Sequence, residues 1–389
     1  MKEEIKSFDF EIRTHVIFGE GRIKELADIL ESEFCSSVAV IVDSAVKSNE
    51  DIQESIKNIE DKNISVSVFY NDVAEPDYGY LDEFKKQMIS KDFDYVVGIG
   101  GGSTIDLAKG MATLLTNEGP SISYRGFPEL KNKPLPVIAI PTTGGTGSDV
   151  TFNAVFTDNN EKRKLGINSK HNYPVHAILD PKLTVSCPDS VTVSAGMDAL
   201  VHTLESFGAK NSTYYSRIFS KEAFKLLFNN LISVLDNPSD ISIRGNILLG
   251  SHYAGAALMN SGAGPSGAMT YPLGGIHKVP HGIAGGMILP KIIRLNVEKG
   301  YLGYHELYDL IEGADFSLSK EEKSRAFAER IEQLCNKLDV PVNFDKFGIK
   351  KDDVSIFMEQ LYGMLKGAMD LNPIEVKEEE MKNILESMF

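Results

Sequence analysis

The chain has 389 residues, 42% of them hydrophobic and 24% charged, with a formal net charge of −15. That length exceeds what one hydrophobic core usually serves and predicts two domains, while the negative charge excludes nucleic acid or an acidic membrane surface as a partner held by the global field. No run approaches the roughly 20 continuous apolar residues of a membrane-spanning helix, and Cys35, Cys187 and Cys335 lie too far apart for a C-x-x-C zinc site or a dense disulfide framework.

The N-terminal stretch MKEEIKSFDFEIRTH carries acidic residues and no apolar signal-peptide core, so a cytoplasmic protein is expected. Short β-branched runs then alternate with helical patterns: VAVIVD (38–43), ISVSVFY (64–70), DYVVGIG (94–100) and LPVIAIP (135–141). This grammar predicts βαβ units and a Rossmann-like parallel sheet buried on both faces. TFNAVFTDNNEKRKLGINS reads as a hairpin turning at Asp158-Asn159-Asn160, and HAILDP (176–181) as a last strand. Near 184 the pattern changes to successive amphipathic helices, for example 216–235, 319–338 and 352–369. The expected organisation is therefore an α/β domain over 1–184 followed by an all-helical domain over 185–389.

GIGGGSTIDLAKGMA (98–112) follows a predicted strand and opens a predicted helix. Three successive glycines let backbone N–H groups approach a pyrophosphate, and the helix start adds its partial positive charge. Ser103 and Thr104 are natural N-caps there. The turn matches neither G-x-G-x-x-G nor the Walker loop, and a ligand-free βα turn would use the same glycines. A second loop, PTTGGTGSDVT (141–151), again follows a strand and strengthens the case for a nucleotide, because open α/β sheets bind ligands at the carboxyl ends of neighbouring strands. Asp43, ending VAVIVD, suits the ribose hydroxyls of NAD and would repel the extra phosphate of NADP; it suits a helix N-cap equally well.

AGMDALVHTLESF (195–207) puts Asp198 and His202 four residues apart on one helical face, with Glu205 nearby. An imidazole with a carboxylate at that spacing can chelate Fe²⁺, Zn²⁺, Mn²⁺ or Ni²⁺. In GPSGAMTYPLGGIHKVPHG (264–282), His281 stands between a proline and a glycine that let neighbours come close, and His277 lies one turn earlier if the segment is helical. The other histidines, His15, His171, His176 and His252, have no partner spacing and are expected to be structural.

These four stretches, GGGSTIDLAK, PTTGGTGSDVT, GMDALVHTLE and PHGIAGGMILP, together with FGEG (18–21), resemble the iron-containing (group III) alcohol dehydrogenases over nearly the whole chain. The resemblance implies a dehydroquinate synthase-like fold, with an N-terminal dinucleotide domain and a C-terminal helical metal domain. It implies that Gly100, Gly101, Gly102 and Ser103 hold a pyrophosphate, that Thr142, Thr143 and Thr146 approach the nicotinamide half, that Asp43 takes the ribose, and that Asp106 and Lys164 belong to the cofactor site. It also implies Asp198, His202 and His281 as ligands of Fe²⁺ or Zn²⁺. Members usually read H-x-x-x-H-P-L-G where this chain reads G-A-M-T-Y-P-L-G, so Gly267 stands for a ligand and Tyr271 for a proton relay. Three readings stay open: three protein ligands plus water, His277 as a substitute ligand, or loss of the metal.

The implied activity is metal-dependent hydride transfer between NAD, or NADP, and an alcohol or aldehyde, with Tyr271 or His277 exchanging the proton. The volume vacated at Gly267 suggests a polyhydroxylated or sugar-derived substrate, with Asn153 and Asn260 as hydrogen-bonding candidates. A homodimer or larger homo-oligomer is expected. The rivals are a dehydroquinate-synthase-like lyase and a metal-free nucleotide-binding homologue.

Overall fold

The computed structural model describes residues 7–161 and 163–389. By their mutual contacts they separate into two units. One holds Ile12–Pro188 with Ser239–Leu248; the other holds Asp189–Pro238, Leu249–Phe389 and the stretch ending at Glu11. The boundary lies at 188/189 where the sequence pattern suggested 184/185. Two exchanges also occur that no local pattern announces, since the stretch ending at Glu11 and the piece 239–248 each group with residues remote in sequence.

The first unit contains strands β1 (His15–Phe18), β2 (Ser37–Asp43), β3 (Ser65–Asn71), β4 (Tyr95–Gly100), β5 (Val137–Pro141), β6 (Val155–Asp158), β7 (Arg163–Gly166) and β8 (His176–Leu179). Its helices are α1 (Leu26–Ser32), α2 (Glu50–Asp61), α3 (Tyr78–Met88) and α4 (Gly102–Thr116). Six strands form one parallel sheet in the order β1-β8-β5-β4-β2-β3. Alternate residues of β2 serve two cores: Val38, Val40 and Val42 meet Leu26, Leu30, Ile52 and Ile59 of α1 and α2. Ala39 and Ile41 meet Leu81, Phe84, Leu107 and Met111 of α3 and α4. Burial on both faces is why this strand reads as an unbroken apolar run.

β1 was not apparent in the sequence, because four residues at a sheet edge, HVIF, are too few to display alternation. The antiparallel pair β6 and β7 joins Asp158 to Arg163, so Asp158 ends a strand and the turn begins at Asn159; the Asp158 carboxylate accepts from the N–H groups of Asn160 and Glu161. From β2 the chain passes to β3 on one side, then returns to β4 on the other. The sheet therefore reverses its direction of growth between β2 and β4, which is where open α/β sheets leave a crevice for a ligand.

The second unit is helical: α5 (Asp189–Gly208), α6 (Tyr214–Phe228), α7 (Ser233–Asp236), α8 (Ile241–Ser261, whose first residues belong to the other unit), α9 (Pro265–His277), α10 (His281–Glu298), α11 (His305–Tyr308), α12 (Lys320–Lys337), α13 (Asp353–Tyr362), α14 (Lys366–Leu371) and α15 (Glu378–Glu386). The helix read over 319–338 is α12, closed by a capping box in which Ser319 and Glu322 satisfy each other's backbone N–H. The helices read over 216–235 and 352–369 are each broken. The first stops at Asn229, beside an Asn230 whose amide donates back to the Leu226 carbonyl, and the second stops at Gly363. Apolar periodicity survives such breaks, which is why it misses them. Among the described residues no helix is long and apolar enough to cross a membrane.

The FGEG segment is tied down by one buried carboxylate. Asp180, fully buried, accepts from the backbone N–H groups of Gly21, Ile23 and Lys182, each at 3.1 Å. Replacing Asp180 by Ala strands these donors without an acceptor and should lower stability by on the order of 3 kcal/mol, whereas Asp180→Asn should cost less; the midpoints of denaturant unfolding curves check both.

Candidate functional site

The helical unit brings three of the expected side chains together. Asp198 and His202 lie one turn apart on α5, with His202 Nε2 3.6 Å from Asp198 Oδ1. His281, the first residue of α10, puts its Nε2 3.6 Å from the same oxygen. One ligand atom from each residue lies within 4.8 Å of the other two. Among the described residues this is the one group of three or more His, Cys, Asp or Glu side chains so disposed. Asp198 and His202 are buried, while the His281 side chain is one-third exposed, so the group opens on one flank.

Gly282 explains how α10 comes so near α5. A Cβ at that position would stand 1.7 Å from the Ser194 carbonyl oxygen and 2.9 Å from the Asp198 nitrogen, so only a glycine allows the two backbones to meet. Pro280 caps α10 in extended conformation, and Lys278, with a left-handed φ of 57°, ends α9. His277 and His281 therefore belong to different helices, and their four-residue spacing does not put them on one face.

His277 is accordingly not among the converging donors. Its Nε2 lies 3.3 Å from Asp353, without a hydrogen-bond partner, and its ring packs edge-on against Phe357 of α13, so it stands outside the group that Asp198, His202 and His281 form. Tyr271 does lie at the site, its ring edge-on to His281 with centroids 6.2 Å apart. Position 267 is bounded by Glu205: a Cβ there would meet Glu205 Oε2 at 3.0 Å. The buried Glu205 carboxylate gathers the N–H groups of Gly264 (2.7 Å), Ser266 (2.5 Å) and Gly267 (3.1 Å) at the start of α9, a favourable place for negative charge at a helix N-terminus. Burial pushes its carboxyl above the ordinary value against the pull of those donors. Thr270, fully buried, sets its hydroxyl 3.3 Å from His281 Nε2.

The donor set fits a divalent cation. One carboxylate and two imidazoles suit Fe²⁺ or Zn²⁺, and spacings near 3.6 Å are those of atoms sharing one small ion about 2.1 Å away. His202 Nδ1 is buried without a hydrogen-bond partner among the described residues, so the acceptor that usually orients a metal-binding imidazole from its outer side is not seen here.

In the α/β unit, both glycine-rich loops close on each other at the switch point. Thr142 donates its N–H to the Gly100 carbonyl at 2.9 Å. A Cβ on Gly102 would strike Thr146 at 2.5 Å, and one on Gly101 would reach Thr143 at 3.6 Å. The N-cap of α4 is Gly101, with no side-chain cap, where the sequence suggested Ser103 or Thr104. Ser103 lies in the first turn, and Thr104 instead accepts from Asn71 (3.0 Å) and donates to Asp43 (3.4 Å). An uncapped glycine start leaves the first N–H groups open to an anion. Asp43 stands beside this loop and caps the following turn through the Ala45 N–H, the capping role the sequence allowed it.

Two residues grouped with the cofactor are otherwise engaged. Asp106 accepts from the Ser148 hydroxyl and the Val155 N–H (2.9 Å) and lies 3.5 Å from the Lys109 ammonium. Lys164 pairs with Glu75 at 2.8 Å. Sequence reasoning passed over Lys109, which is fully buried and donates to Ser148 (2.7 Å) and the Asn153 carbonyl (2.9 Å), anchoring the 141–151 loop to α4. Burial lowers its pKa, opposed by Asp106 and Asp149. Its signal was a lysine one turn after an aspartate in a helix otherwise apolar.

Of the polar residues expected to meet a substrate, Asn260 is committed elsewhere. It accepts from the Glu11 N–H and donates to the Glu11 carbonyl, stapling the N-terminal stretch to α8. Asn153 keeps a buried Oδ1 without a hydrogen-bond partner. His15 and His176 pack on one another and His176 pairs with Glu33, in keeping with structural roles.

Comparison with known proteins follows the same two units. A family model described as iron-containing alcohol dehydrogenase matches residues 13–181, and one described as Fe-containing alcohol dehydrogenase family, C-terminal, matches 192–389. The NAD-dependent methanol dehydrogenase of Bacillus methanolicus is 28% identical over 89% of this chain and 91% of its own length. The 1,3-propanediol dehydrogenase of Citrobacter freundii is 27% identical over 99% of both chains. Among solved structures, a 1,3-propanediol oxidoreductase superposes with a TM-score of 0.92 at 26% identity, covering 99% of this chain and 100% of its own. The sulfoacetaldehyde reductase of Bifidobacterium kashiwanohense, in complex with NAD⁺, gives 0.88 at 26% identity, covering 98% and 99%.

Gly282→Ala should force α10 away from α5 and separate His281 from Asp198. The expected result is a folded but less stable protein that retains little metal, read by thermal melting alongside elemental analysis; wild-type metal content would contradict the role given to the close approach.

Proposed function

The chain belongs to the iron-containing alcohol dehydrogenase family, and from that premise we propose that it is an NAD-linked, metal-dependent oxidoreductase interconverting an alcohol and its aldehyde. The observation that carries this reading is the convergence of Asp198, His202 and His281 on one point, the chemistry of an open metal site. A divalent cation there, Fe²⁺ or Zn²⁺, supplies Lewis-acid stabilisation of a substrate oxygen, and NAD supplies the hydride acceptor or donor.

The remaining tasks fall to the chain's own groups. Asp198, His202 and His281 define the point where the substrate oxygen is held, and the one-third exposure of His281 leaves an approach to it. Tyr271, edge-on to that imidazole, is the side chain we assign to exchange the alcohol proton through its Oη. This assignment replaces His277, whose outer nitrogen faces Asp353. The uncapped N-terminus of α4 and the loop 141–151 would hold the dinucleotide phosphates and nicotinamide half, and Asp43 at the end of β2 favours NAD over NADP by repelling a 2′-phosphate. With Asn260 committed to Glu11, the reading stops at alcohol or aldehyde and is not extended to polyols. The cytoplasm is the compartment we assign, in keeping with three cysteines that form no disulfide.

His281→Ala should abolish both metal retention and NAD reduction by alcohols; full activity after exhaustive chelation would refute the metal role. Tyr271→Phe should lower kcat with little change in KM and alter the pH profile of kcat. Asp43→Ser should raise kcat/KM with NADP relative to NAD, and an unchanged ratio would remove Asp43 from the coenzyme site.

A further inference from the structure

Three donors leave a four-coordinate cation one ligand short, and the candidates for the fourth can be taken in turn. Glu205 has both carboxylate oxygens engaged by the N–H groups of Gly264, Ser266 and Gly267. His277 faces Asp353. Gly267 has no side chain, and a Cβ there would begin only 3.0 Å from Glu205 Oε2.

Thr270 remains. It is fully buried on α9, one turn after Gly267, and its Oγ1 lies 3.3 Å from His281 Nε2, the nitrogen that is also 3.6 Å from Asp198 Oδ1. Its proton has a fixed destination, because the hydroxyl donates to the Gly267 carbonyl at 2.6 Å. The oxygen lone pairs are thus turned away from that carbonyl, with the imidazole nitrogen within their reach. Atoms about 2.1 Å from a tetrahedral cation stand about 3.4 Å from one another. The observed separations of 3.6, 3.6 and 3.3 Å are edges of that size.

We propose that Thr270 Oγ1 is the fourth protein donor of the cation site, completing a set of two imidazoles and two oxygens. This rests on the reading of Asp198, His202 and His281 as that site. Such a set would select Mn²⁺, Fe²⁺ or Zn²⁺ over a soft ion such as Cu(I).

The test uses Co²⁺ as the probe, added to full-length protein stripped of metal, with binding read by calorimetry and geometry by the visible absorption of the ion. Thr270→Val preserves shape but removes the oxygen, and should weaken Co²⁺ binding about tenfold or more and change the visible bands; Thr270→Ser should keep both. Thr270→Cys places sulfur where the oxygen was and should add a thiolate-to-cobalt charge-transfer band in the near ultraviolet, a readout that a merely structural hydroxyl could not produce. Asp198→Ala controls the underlying reading. If Asp198→Ala loses Co²⁺ while Thr270→Val binds it as wild type and Thr270→Cys shows no charge-transfer band, Thr270 is only a hydrogen-bond partner of His281 and the proposal is overturned. If Asp198→Ala binds Co²⁺ as wild type, the cation site itself is overturned. Melting of each metal-free variant separates a loss of binding from a loss of fold.

Discussion

The candidate chemistry of this protein depends on one backbone contact. At Gly282 the first turn of α10 presses against α5 so closely that an added methyl group would overlap the Ser194 carbonyl oxygen. Side chains normally hold packed helices some 8–10 Å apart. Removing one at the point of crossing lets a residue at the very start of α10 share a partner with a residue in the middle of α5. His281 and His202 consequently approach the same Asp198 oxygen from two helices, although nearly eighty residues of chain separate them.

The corner of the site formed by α9 follows from that contact and from a second one. Glu205 binds the opening N–H groups of α9 and fixes where the helix begins. Thr270 and Tyr271, one turn further on, are thereby set against His281. A buried carboxylate is costly without partners, and three backbone donors at a helix start offset that cost. The same carboxylate stands 3.0 Å from where a Cβ at position 267 would begin, and Thr270 and Tyr271 are the α9 side chains that meet His281.

The α/β unit solves a different problem with similar means. Gly100 to Gly102 and the threonine-rich loop after β5 are brought together at the point where the sheet reverses its growth, and no side chain caps the helix that starts there. Asp106 and Lys109 hold the second loop in place from within α4, with the lysine ammonium buried among Ser148, Thr151 and the Asn153 carbonyl. Asp106 looked like a cofactor ligand because it sits in a glycine-rich motif. Its carboxylate braces the loop through Ser148, the Val155 N–H and Lys109, and motif membership alone cannot tell a residue that faces a ligand from one that supports the loop.

Local pattern was enough to read much of the molecule. The apolar runs of β2, β4 and β5 announced a parallel sheet because each is buried on both faces, and a helix must place Asp198 and His202 on one side whatever surrounds it. Periodicity also located the helical half, but not the breaks at Asn229 and Gly363, nor the four-residue edge strand β1, since an apolar stripe continues across a kink and a short strand has too few turns of the pattern. What the sequence by itself determined was the class of each half and the donor types available, because these depend on spacings of two to four residues along the chain. What only the tertiary structure decided was where His277 goes instead, which groups Asp106 and Asn260 engage, and which hydroxyl meets His281. Those outcomes depend on contacts between helices remote in sequence, and a contact of that kind leaves no periodic trace.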